Sequence, residues 1–365
     1  MRKAIYPLIA AGAALMLYRA VYGLGAVTAL SDYQPWGLVK AVNIFFGASL
    51  PAGSFVLAAS VYVFGARSFR PLVRPALLMG FIGHTFVLIA LFYDVGRPLY
   101  VWRIMTNPHA SSALLWTAWS ETAYTAVMVV ELLPDALRRA DLVRMVEKVK
   151  VPLVILAAVL AVVYQYSLGT LFLAAPLELA PAWSGRWLPA LFILSAVAGG
   201  LGMVVIERTI SGRQGRRKTD PAVIRRTAAL MGVFLALYML VRVADLVTRG
   251  ALSGGSPLRD AWLITEICAG VLAPIVLLLI KRVRETAWGL VAASSLTLFG
   301  VLINRLGVTI VGWELPKGAS YFPSPLEFMA SVVFLLAAAS LYWYASGLLL
   351  ANPSPVPEVQ AADLA

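Results

Sequence analysis

Residues 73–93 read Val-Arg-Pro-Ala-Leu-Leu-Met-Gly-Phe-Ile-Gly-His-Thr-Phe-Val-Leu-Ile-Ala-Leu-Phe-Tyr, and Asp94-Val-Gly-Arg-Pro98 follows at once. An apolar stretch of this length is what a helix needs to cross a bilayer. A carboxylate and a guanidinium at its end are costly at membrane depth unless they are paired, solvated or used. A second polar island, Leu30-Ser-Asp-Tyr-Gln-Pro-Trp-Gly37, separates two earlier apolar stretches. The two islands therefore mark the candidate working face.

The composition indicates the same class of protein. Of 365 residues, 61% are hydrophobic and 13% are charged, whereas globular domains carry about 25% charged residues. We predict an all-α integral membrane protein of about ten transmembrane helices, with boundaries good to a few residues. The predicted spans lie near residues 4–29, 38–64, 73–93, 112–133, 151–174, 187–207, 224–247, 260–280, 287–311 and 325–350. They form one transmembrane domain over 1–351, and the Pro-rich remainder, 352–365, is predicted to be a disordered cytoplasmic tail.

Few residues are available as ligands for a redox centre. The chain has one cysteine, Cys268, and two histidines, His84 and His109. A single cysteine cannot hold an iron–sulfur cluster, and a b-type haem usually needs two axial histidines. We therefore predict no metal, haem or iron–sulfur cluster in this chain. The net charge of +12 does not indicate nucleic-acid binding, because the basic residues follow the connections and form no stripe that would track a groove.

The basic residues are concentrated in alternate connections. The basic connections include Arg67, Arg70, Arg74, Lys148, Lys150, Arg208, Arg213, Arg225, Arg226, Lys281, Arg282 and Arg284. By the positive-inside rule this side is cytoplasmic, which places the chain in the cytoplasmic (inner) membrane with both termini inside. The two polar islands then lie on the outer, periplasmic side.

Several ionisable residues fall within or just inside the predicted spans. Those near span ends, Lys40, Glu131, Glu207 and Glu327, are predicted to snorkel to the interface. Arg242 and Asp245 are three residues apart on one helix face, which permits a local ion pair. That pair serves equally well as a structural lock or as a relay.

His84, Glu121 and Glu266 lie deeper in their predicted spans. A lone buried histidine is more often hydrogen-bonded packing than a ligand. An imidazole near intramembrane carboxylates is nevertheless what proton transfer into a bilayer requires. The predicted proton path consists of His84, Glu121, Glu207, Arg242, Asp245 and Glu266.

A series of motifs resembles the NrfD-like, or polysulfide-reductase type, membrane subunits of respiratory oxidoreductases. The likeness is closest to the ten-helix, HybB- and DsrP-like branch. The motifs are Gly23-Leu-Gly-Ala-Val-Thr-Ala-Leu-Ser-Asp-Tyr-Gln-Pro-Trp-Gly37, Val61-Tyr-Val-Phe64, Pro71-Leu-Val-Arg-Pro75, Asp94-Val-Gly-Arg-Pro98, Ser167-Leu-Gly-Thr170, Arg242-Val-Ala-Asp245, Glu266, Asn304-Arg305 and Tyr321-Phe-Pro-Ser324. The resemblance implies two four-helix bundles with flanking helices, no bound redox metal, and a quinone pocket near the outer face.

The function implied by this resemblance is that of a quinone-interacting subunit of an oxidoreductase complex. Such a subunit passes electrons between a periplasmic ferredoxin-like four-cluster iron–sulfur subunit and menaquinone or menaquinol. The expected catalytic subunit is of hydrogenase, molybdopterin or multihaem cytochrome type. The direction of electron flow and the translocation of protons stay open.

The predicted quinone site combines the polar residues of the outer connections: Asp32, Asp94, Arg97, Arg103, Asn107 and His109. Arg97 and Arg103 can donate hydrogen bonds to a quinone carbonyl, and Asp32 or His109 can exchange the proton. Arg97 is equally suited to structuring the loop, because Gly-Arg-Pro also ends a helix. A direct role in turnover is predicted for Asp32, Arg97, His84, Glu121 and Glu266.

Two departures from the family pattern bear on proton movement. Relatives often carry a glutamate where this chain has Trp116, and a histidine where it has Tyr164. His84 stands where relatives tend to have an aromatic residue, and is the candidate for compensation. Two other functions fit the composition: a secondary transporter that uses the same buried charges, and a membrane anchor whose quinone site has decayed. Transporters tend to show broken helices and repeated halves, which we do not find in the sequence.

Overall fold

The computed structural model describes residues 2–137, 139–174, 178–216, 219–253 and 255–350, so the predicted tail at 352–365 lies outside the described residues. The α-helices are α1 (Arg2–Tyr22), α2 (Ala52–Tyr62), α3 (Arg70–Asp94), α4 (Trp102–Thr106), α5 (Ala113–Leu137), α6 (Ala140–Lys148), α7 (Lys150–Leu173), α8 (Leu188–Arg213), α9 (Pro221–Arg249), α10 (Pro257–Thr265), α11 (Ala273–Leu279), α12 (Lys281–Arg284), α13 (Ala287–Leu306) and α14 (Pro325–Leu349). Among these residues the one β contact is an isolated bridge between Leu179 and Trp313. The all-α class is confirmed.

Three π-helical segments interrupt the regular helices. Lys40–Phe46 leads through a 3-10 turn into α2, Glu266–Leu272 joins α10 to α11, and Gly307–Val311 extends α13. A π-helical turn is rare and is found often at functional sites. Two of these segments begin at a charged residue, Lys40 and Glu266.

Eight helical stretches are long and apolar enough to cross a membrane, judged on length and composition over the described residues. They are Lys40–Tyr62, Arg67–Asp94, Lys150–Leu173, Leu188–Arg213, Pro221–Arg249, Pro257–Leu279, Ala287–Val311 and Pro325–Leu349. The first predicted span corresponds to α1, whose apolar part, Tyr6–Tyr22, is shorter. The fourth corresponds to α5, which has 25 residues but carries two carboxylates in its apolar part. A multi-pass membrane protein is therefore confirmed, and the count of ten spans stays a prediction.

The long helices pack in two groups. In the first group, α2 contacts α3 and α7, and α5 contacts the same two helices. In the second group, α8 contacts α9 and α13, and the α10–α11 stretch contacts the same two. Outside these groups, α14 packs on α1 and α3. The contact pattern is the one that two four-helix bundles with flanking helices would give, and that arrangement stays a prediction.

Two glycines bring the groups into backbone contact. A Cβ atom on Gly200 of α8 would lie 2.1 Å from the backbone nitrogen of Gly53 in α2. No side chain fits at that distance, so glycine is required for α2 and α8 to approach this closely.

Because successive spans alternate in direction, the connections fall at two ends of the molecule. We call the end that holds Arg70, Lys150 and Arg213 the basic end. The end that holds residues 30–37 and 94–98 is the island end. Ion pairs between the ends of consecutive spans, Lys40 with Asp94 and Glu131 with Lys150, agree with this antiparallel order.

Candidate functional site

Asp94 is buried at the island end, where α3 stops, and its carboxylate forms an ion pair with Lys40. Lys40 is the first residue of a π-helical segment, and its side chain is 18% exposed whereas that of Asp94 is 0% exposed. The prediction that Lys40 snorkels is therefore wrong, because its ammonium group compensates a buried carboxylate. Arg19 fixes the chain around Asp94 by donating from Nε to the carbonyl of Tyr93 at 2.8 Å. A partly accessible ion pair thus lies beneath the Asp94-Val-Gly-Arg-Pro98 island.

Four predicted quinone-site residues follow in one exposed segment at the island end: Arg97, Arg103, Asn107 and His109. The guanidinium of Arg103 lies 4.5 Å from the ring centroid of Tyr100. Asn107 Nδ2 donates to the carbonyl of Arg103 at 3.3 Å, and His109 Nδ1 lies 3.2 Å from the carbonyl oxygen of Asn107. These side chains belong to one surface, and Asp94 is the buried member of the predicted set.

Asp32 lies apart from that segment, exposed in a turn closed by Ser31 and Gln34. Within the described residues no hydrogen bond or ion pair joins Asp32 to Arg97. Two hydrogen bonds to the chain that follows α13 hold the turn instead. Gln34 Nε2 donates to the carbonyl of Thr309 at 3.0 Å, and Trp313 Nε1 donates to the carbonyl of Tyr33 at 2.8 Å.

Glu327 fixes the chain next to the polar island at residues 30–37. Its carboxylate accepts hydrogen bonds from the backbone nitrogen of Ala29 at 3.1 Å and from the hydroxyl of Tyr321 at 2.8 Å. It also completes a capping box with Ser324 at the start of α14. Glu327 is therefore buried and bonded, and the prediction that it snorkels is wrong. Burial and the neighbouring carboxylate raise the pKa of Tyr321, so its hydroxyl keeps the proton that it donates.

His84 and Glu121 meet inside the first group, as expected for the predicted proton path. Nδ1 of His84 lies 2.9 Å from Oε1 and 2.7 Å from Oε2 of Glu121, and both side chains are buried. Tyr124 and Tyr164 flank the imidazole, with ring centroids 4.7 Å and 5.6 Å away. The two tyrosines were not predicted from the sequence, although Tyr164 was noted as a departure from the family pattern. We call these four residues the histidine centre.

Glu266 occupies a different environment in the second group. Arg242 Nε donates to its Oε1 at 3.0 Å, and Arg242 NH2 donates to its Oε2 at 3.2 Å. Tyr238 Oη, Asn304 Nδ2 and Trp183 Nε1 donate to the same carboxylate at 2.6 Å, 3.2 Å and 3.4 Å. All five side chains are buried, and we call them the arginine centre.

Arg305 continues the arginine centre toward the first group. It is fully buried, donates from NH1 to Oδ1 of Asn304 at 2.6 Å and from NH2 to Oγ of Ser195 at 3.0 Å. Its guanidinium also lies 3.6 Å from the ring centroid of Phe192. Sequence reasoning noted Asn304-Arg305 as a motif without giving it a role. A small cavity of about 10 Å³ lies beside Asn304 and Tyr238, near the lower limit for one water molecule.

The predicted pair between Arg242 and Asp245 is wrong. Arg242 pairs with Glu266, whereas Asp245 pairs with Arg249 four residues later, at 2.6 Å. Arg249 also donates from NH1 to the carbonyl of Pro181 at 2.7 Å. Asp245 therefore fixes the connection before α8, and it does not contact the arginine centre through Arg242.

Glu131 and Glu207 lie at the basic end, one in each group. Glu207 accepts hydrogen bonds from the neighbouring Arg208 and, at 2.8 Å, from Ser211. Glu131 lies 3.8 Å from Lys150 Nζ. Both carboxylates are buried, so the prediction that they snorkel is wrong. Glu207 lies near the basic end of α8, far from the residues of the arginine centre.

The profile of the family described as "Polysulphide reductase, NrfD" matches residues 26–315. A protein of Nitratidesulfovibrio vulgaris is 32% identical over 345 residues, which cover 91% of this chain and 89% of that protein. The "Probable Ni/Fe-hydrogenase 2 b-type cytochrome subunit" of Escherichia coli is 29% identical over 92% of this chain and 88% of its own length. The "Menaquinone reductase, integral membrane subunit" of Nitratidesulfovibrio vulgaris is 26% identical over 87% of this chain and 83% of its own length.

One of these names implies a haem, and the two histidines do not fit a haem with two axial imidazoles. Nδ1 of His84 is engaged by Glu121 in the interior, whereas His109 is exposed at the island end. Among the described residues no three His, Cys, Asp or Glu side chains are grouped so that they could hold a metal ion. That the chain carries no haem or cluster of its own stays a prediction.

Proposed function

Because the chain belongs to the NrfD family of polysulphide reductase membrane subunits, we propose that it is the quinone-reactive membrane subunit of a respiratory oxidoreductase complex. The names of the relatives support this proposal, since they are subunits of hydrogenase and menaquinone reductase complexes. The same names favour a quinone-reactive subunit over a secondary transporter. In this proposal the two helix groups are the two four-helix bundles of the family, and α1 and α5 complete the ten spans.

The proposed reaction moves two electrons and two protons. A periplasmic ferredoxin-like four-cluster iron–sulfur subunit delivers the electrons to menaquinone, which takes up two protons to become menaquinol; the reverse reaction uses the same groups. A hydrogenase, molybdopterin or multihaem cytochrome subunit supplies or accepts the electrons. The chain lies in the cytoplasmic membrane with both termini inside and the island end toward the periplasm, as the distribution of basic residues predicts.

The observation that carries the proposed site is the Lys40–Asp94 ion pair at the end of α3, three residues before Arg97 in the chain. A quinone carbonyl needs a hydrogen-bond donor, and Lys40 is a partly exposed cation in contact with a buried carboxylate. We assign Lys40 and Arg97 as donors to the headgroup and Asp94 as the nearest proton-exchanging group. Arg103, Asn107 and His109 continue the same surface outward, where a partner subunit would dock. Asp32 is the exposed carboxylate closest in sequence to Lys40.

The proposed proton route uses the histidine centre. His84 and Glu121 contact each other through groups that can both gain and lose a proton, which is the requirement for a relay. Relatives often carry a histidine where this chain has Tyr164. Here His84 of α3 supplies an imidazole instead, and its ring lies against the ring of Tyr164. This arrangement supports compensation by His84. Arg242, Asp245, Glu207 and Glu266 are assigned to holding the helices.

The experiment compares Arg97→Ala and Lys40→Met with the exposed Lys317→Ala at the same end. Each variant complex is assayed with a menaquinone analogue and, separately, with a soluble dye acceptor that bypasses the quinone site. We expect at least a tenfold loss of quinone-linked turnover in the first two variants, since a donor to a developing oxyanion contributes about 10²–10³-fold. Dye-linked turnover and the Lys317→Ala variant should be unchanged. Wild-type quinone turnover in both site variants would refute the assigned site.

A further inference from the structure

A pocket of about 570 Å³ opens at the basic end of the second group, far along the helices from the proposed quinone site. Its walls come from the end of α8 and from the beginnings of α9 and α13. Arg208 and Arg213 line it from α8, Arg225 lines it from α9, and Ile224 and Leu290 form apolar wall. The pocket therefore combines cationic groups with an apolar lining between membrane-spanning helices.

The three arginines are presented differently. The guanidinium of Arg208 is buried and fixed by Glu207, at 2.5 Å between NH2 and Oε1. That of Arg213 lies over the exposed ring of Trp288, 4.9 Å from the centroid. Arg225 is exposed and has no hydrogen-bond or ion-pair partner among the described residues. Arg213 and Arg225 thus keep hydrogen-bond donors free for a ligand.

Two helix N-termini add positive potential to the pocket. α9 begins at Pro221 and α13 at Ala287, and both residues line the wall. The N-terminal end of a helix carries roughly half a positive elementary charge. Asp220 and Glu285 also line the pocket, but the Asp220 carboxylate is engaged as the cap of α9, where it accepts from the nitrogen of Ala222 at 2.8 Å. Glu285 is then the one lining carboxylate without such a role, and Arg213 and Arg225 outnumber it, so the lining favours an anion at the arginines.

We propose that this pocket binds the phosphate headgroup of an anionic phospholipid. Guanidinium groups pair well with phosphate oxygens, and basic pockets between membrane helices on the cytoplasmic side are suited to such headgroups. The apolar residues Ile224 and Leu290, which line the pocket together with the arginines, favour an amphiphile over a free ion, because inorganic phosphate would leave that surface uncovered. The ligand would join α8, α9 and α13 at the end opposite to the arginine centre, and its binding does not depend on the proposed function.

The test uses the purified full-length chain in nanodiscs of phosphatidylcholine to which cardiolipin or phosphatidylglycerol is added. Retained lipid is measured by native mass spectrometry, and thermal unfolding is followed in the same samples. The double variant Arg213→Ala/Arg225→Ala is compared with Arg282→Ala, which removes an exposed cation of the same end that does not line the pocket. Anionic lipid should be retained and should raise the Tm of the wild type and of Arg282→Ala.

The double variant should lose affinity for the anionic lipid by about 25-fold, since each of the two arginines near an anionic headgroup contributes about fivefold to binding. Unchanged retention in the double variant, or equal retention of phosphatidylcholine by the wild type, would overturn the proposal. A separate arm adds inorganic phosphate to the chain in phosphatidylcholine alone. An equal rise in Tm there would identify a phosphate-ion site and would also overturn the assignment to a lipid.

Discussion

The histidine centre and the arginine centre are two buried carboxylate sites in the two helix groups, and they are built in opposite ways. Glu121 contacts an imidazole that can be neutral or charged. Glu266 accepts from both Nε and NH2 of Arg242 and from three further side chains. Arginine stays protonated in proteins, so Glu266 faces a permanent cation. The comparison teaches that the partner decides whether a buried glutamate faces a group that can exchange a proton or a permanent positive charge.

The largest expected effect comes from removing the lock. Arg242→Ala leaves the Glu266 carboxylate buried without its cation, and breaking a buried pair in this way costs about 3–5 kcal/mol. We expect the variant to accumulate poorly in the membrane, or to unfold at a much lower temperature in detergent. Arg226→Ala on the same helix removes an exposed cation and should cost far less. Equal Tm values for the two variants would contradict the distinction.

A large effect on turnover, with little effect on stability, is expected at the histidine centre. Glu121→Gln keeps a hydrogen-bonding side chain but cannot release a proton, and His84→Phe removes the imidazole. Quinone-linked turnover should fall about 10²-fold in each variant, the lower range for loss of a general acid or base, with unchanged dye-linked turnover. Glu314→Gln, in an exposed connection, is the control. Turnover in Glu121→Gln that matches this control would remove the histidine centre from the proton route.

The joint between the two groups gives an intermediate effect on stability. Gly200→Ala places a methyl group 2.1 Å from the backbone nitrogen of Gly53, so α2 and α8 must move apart. Overpacking of this kind costs about 1–3 kcal/mol, seen as a lower Tm of the purified chain. Gly347→Ala, where nothing lies within 4 Å of the added Cβ, should leave Tm unchanged. If Gly200→Ala and Gly347→Ala both have the Tm of the wild type, the two helix groups are not joined through this contact.

The smallest effect is expected for an ion pair at the surface. A hydrogen bond from Arg139 lowers the pKa of Asp141 to about 2, and both side chains are exposed. Because the folded-state pKa lies below the ordinary value, any stabilisation is present at neutral pH and is lost as the pH falls toward 2. Solvent screens such pairs, so Asp141→Asn should show the Tm of the wild type at neutral pH. A clear drop would show that exposed pairs matter as much as buried ones here.

The sequence predicted the class of fold better than it predicted how the buried charged residues pair. Apolar length and the family motifs identified the membrane helices, and His84 and Glu121 do meet as expected. Arg242 was assigned a neighbour three residues away, whereas its partner Glu266 is 24 residues away and on another helix. Lys40 and Asp94 are 54 residues apart. Such pairs depend on which helix faces which, and periodicity within one helix does not contain that information.

The predicted quinone site shows the same limit. Its six residues were grouped because they share the outer connections, but only Asp94 is buried there, while Asp32 and Arg97 lie on separate exposed loops. Lys40, which pairs with Asp94, is placed by the sequence only among the residues near span ends. The signal that could have identified it is the antiparallel order of consecutive spans, which places the start of one span beside the end of the next.

The most direct measurement is a redox-triggered infrared difference spectrum of the complex, recorded while menaquinone is reduced to menaquinol. We predict a carboxyl band that disappears in Glu121→Gln and that persists in a variant of the arginine centre, Glu266→Gln. A band that persists in Glu121→Gln and disappears in Glu266→Gln would contradict the account, because the carboxylate held by Arg242 would then be the one that exchanges the proton.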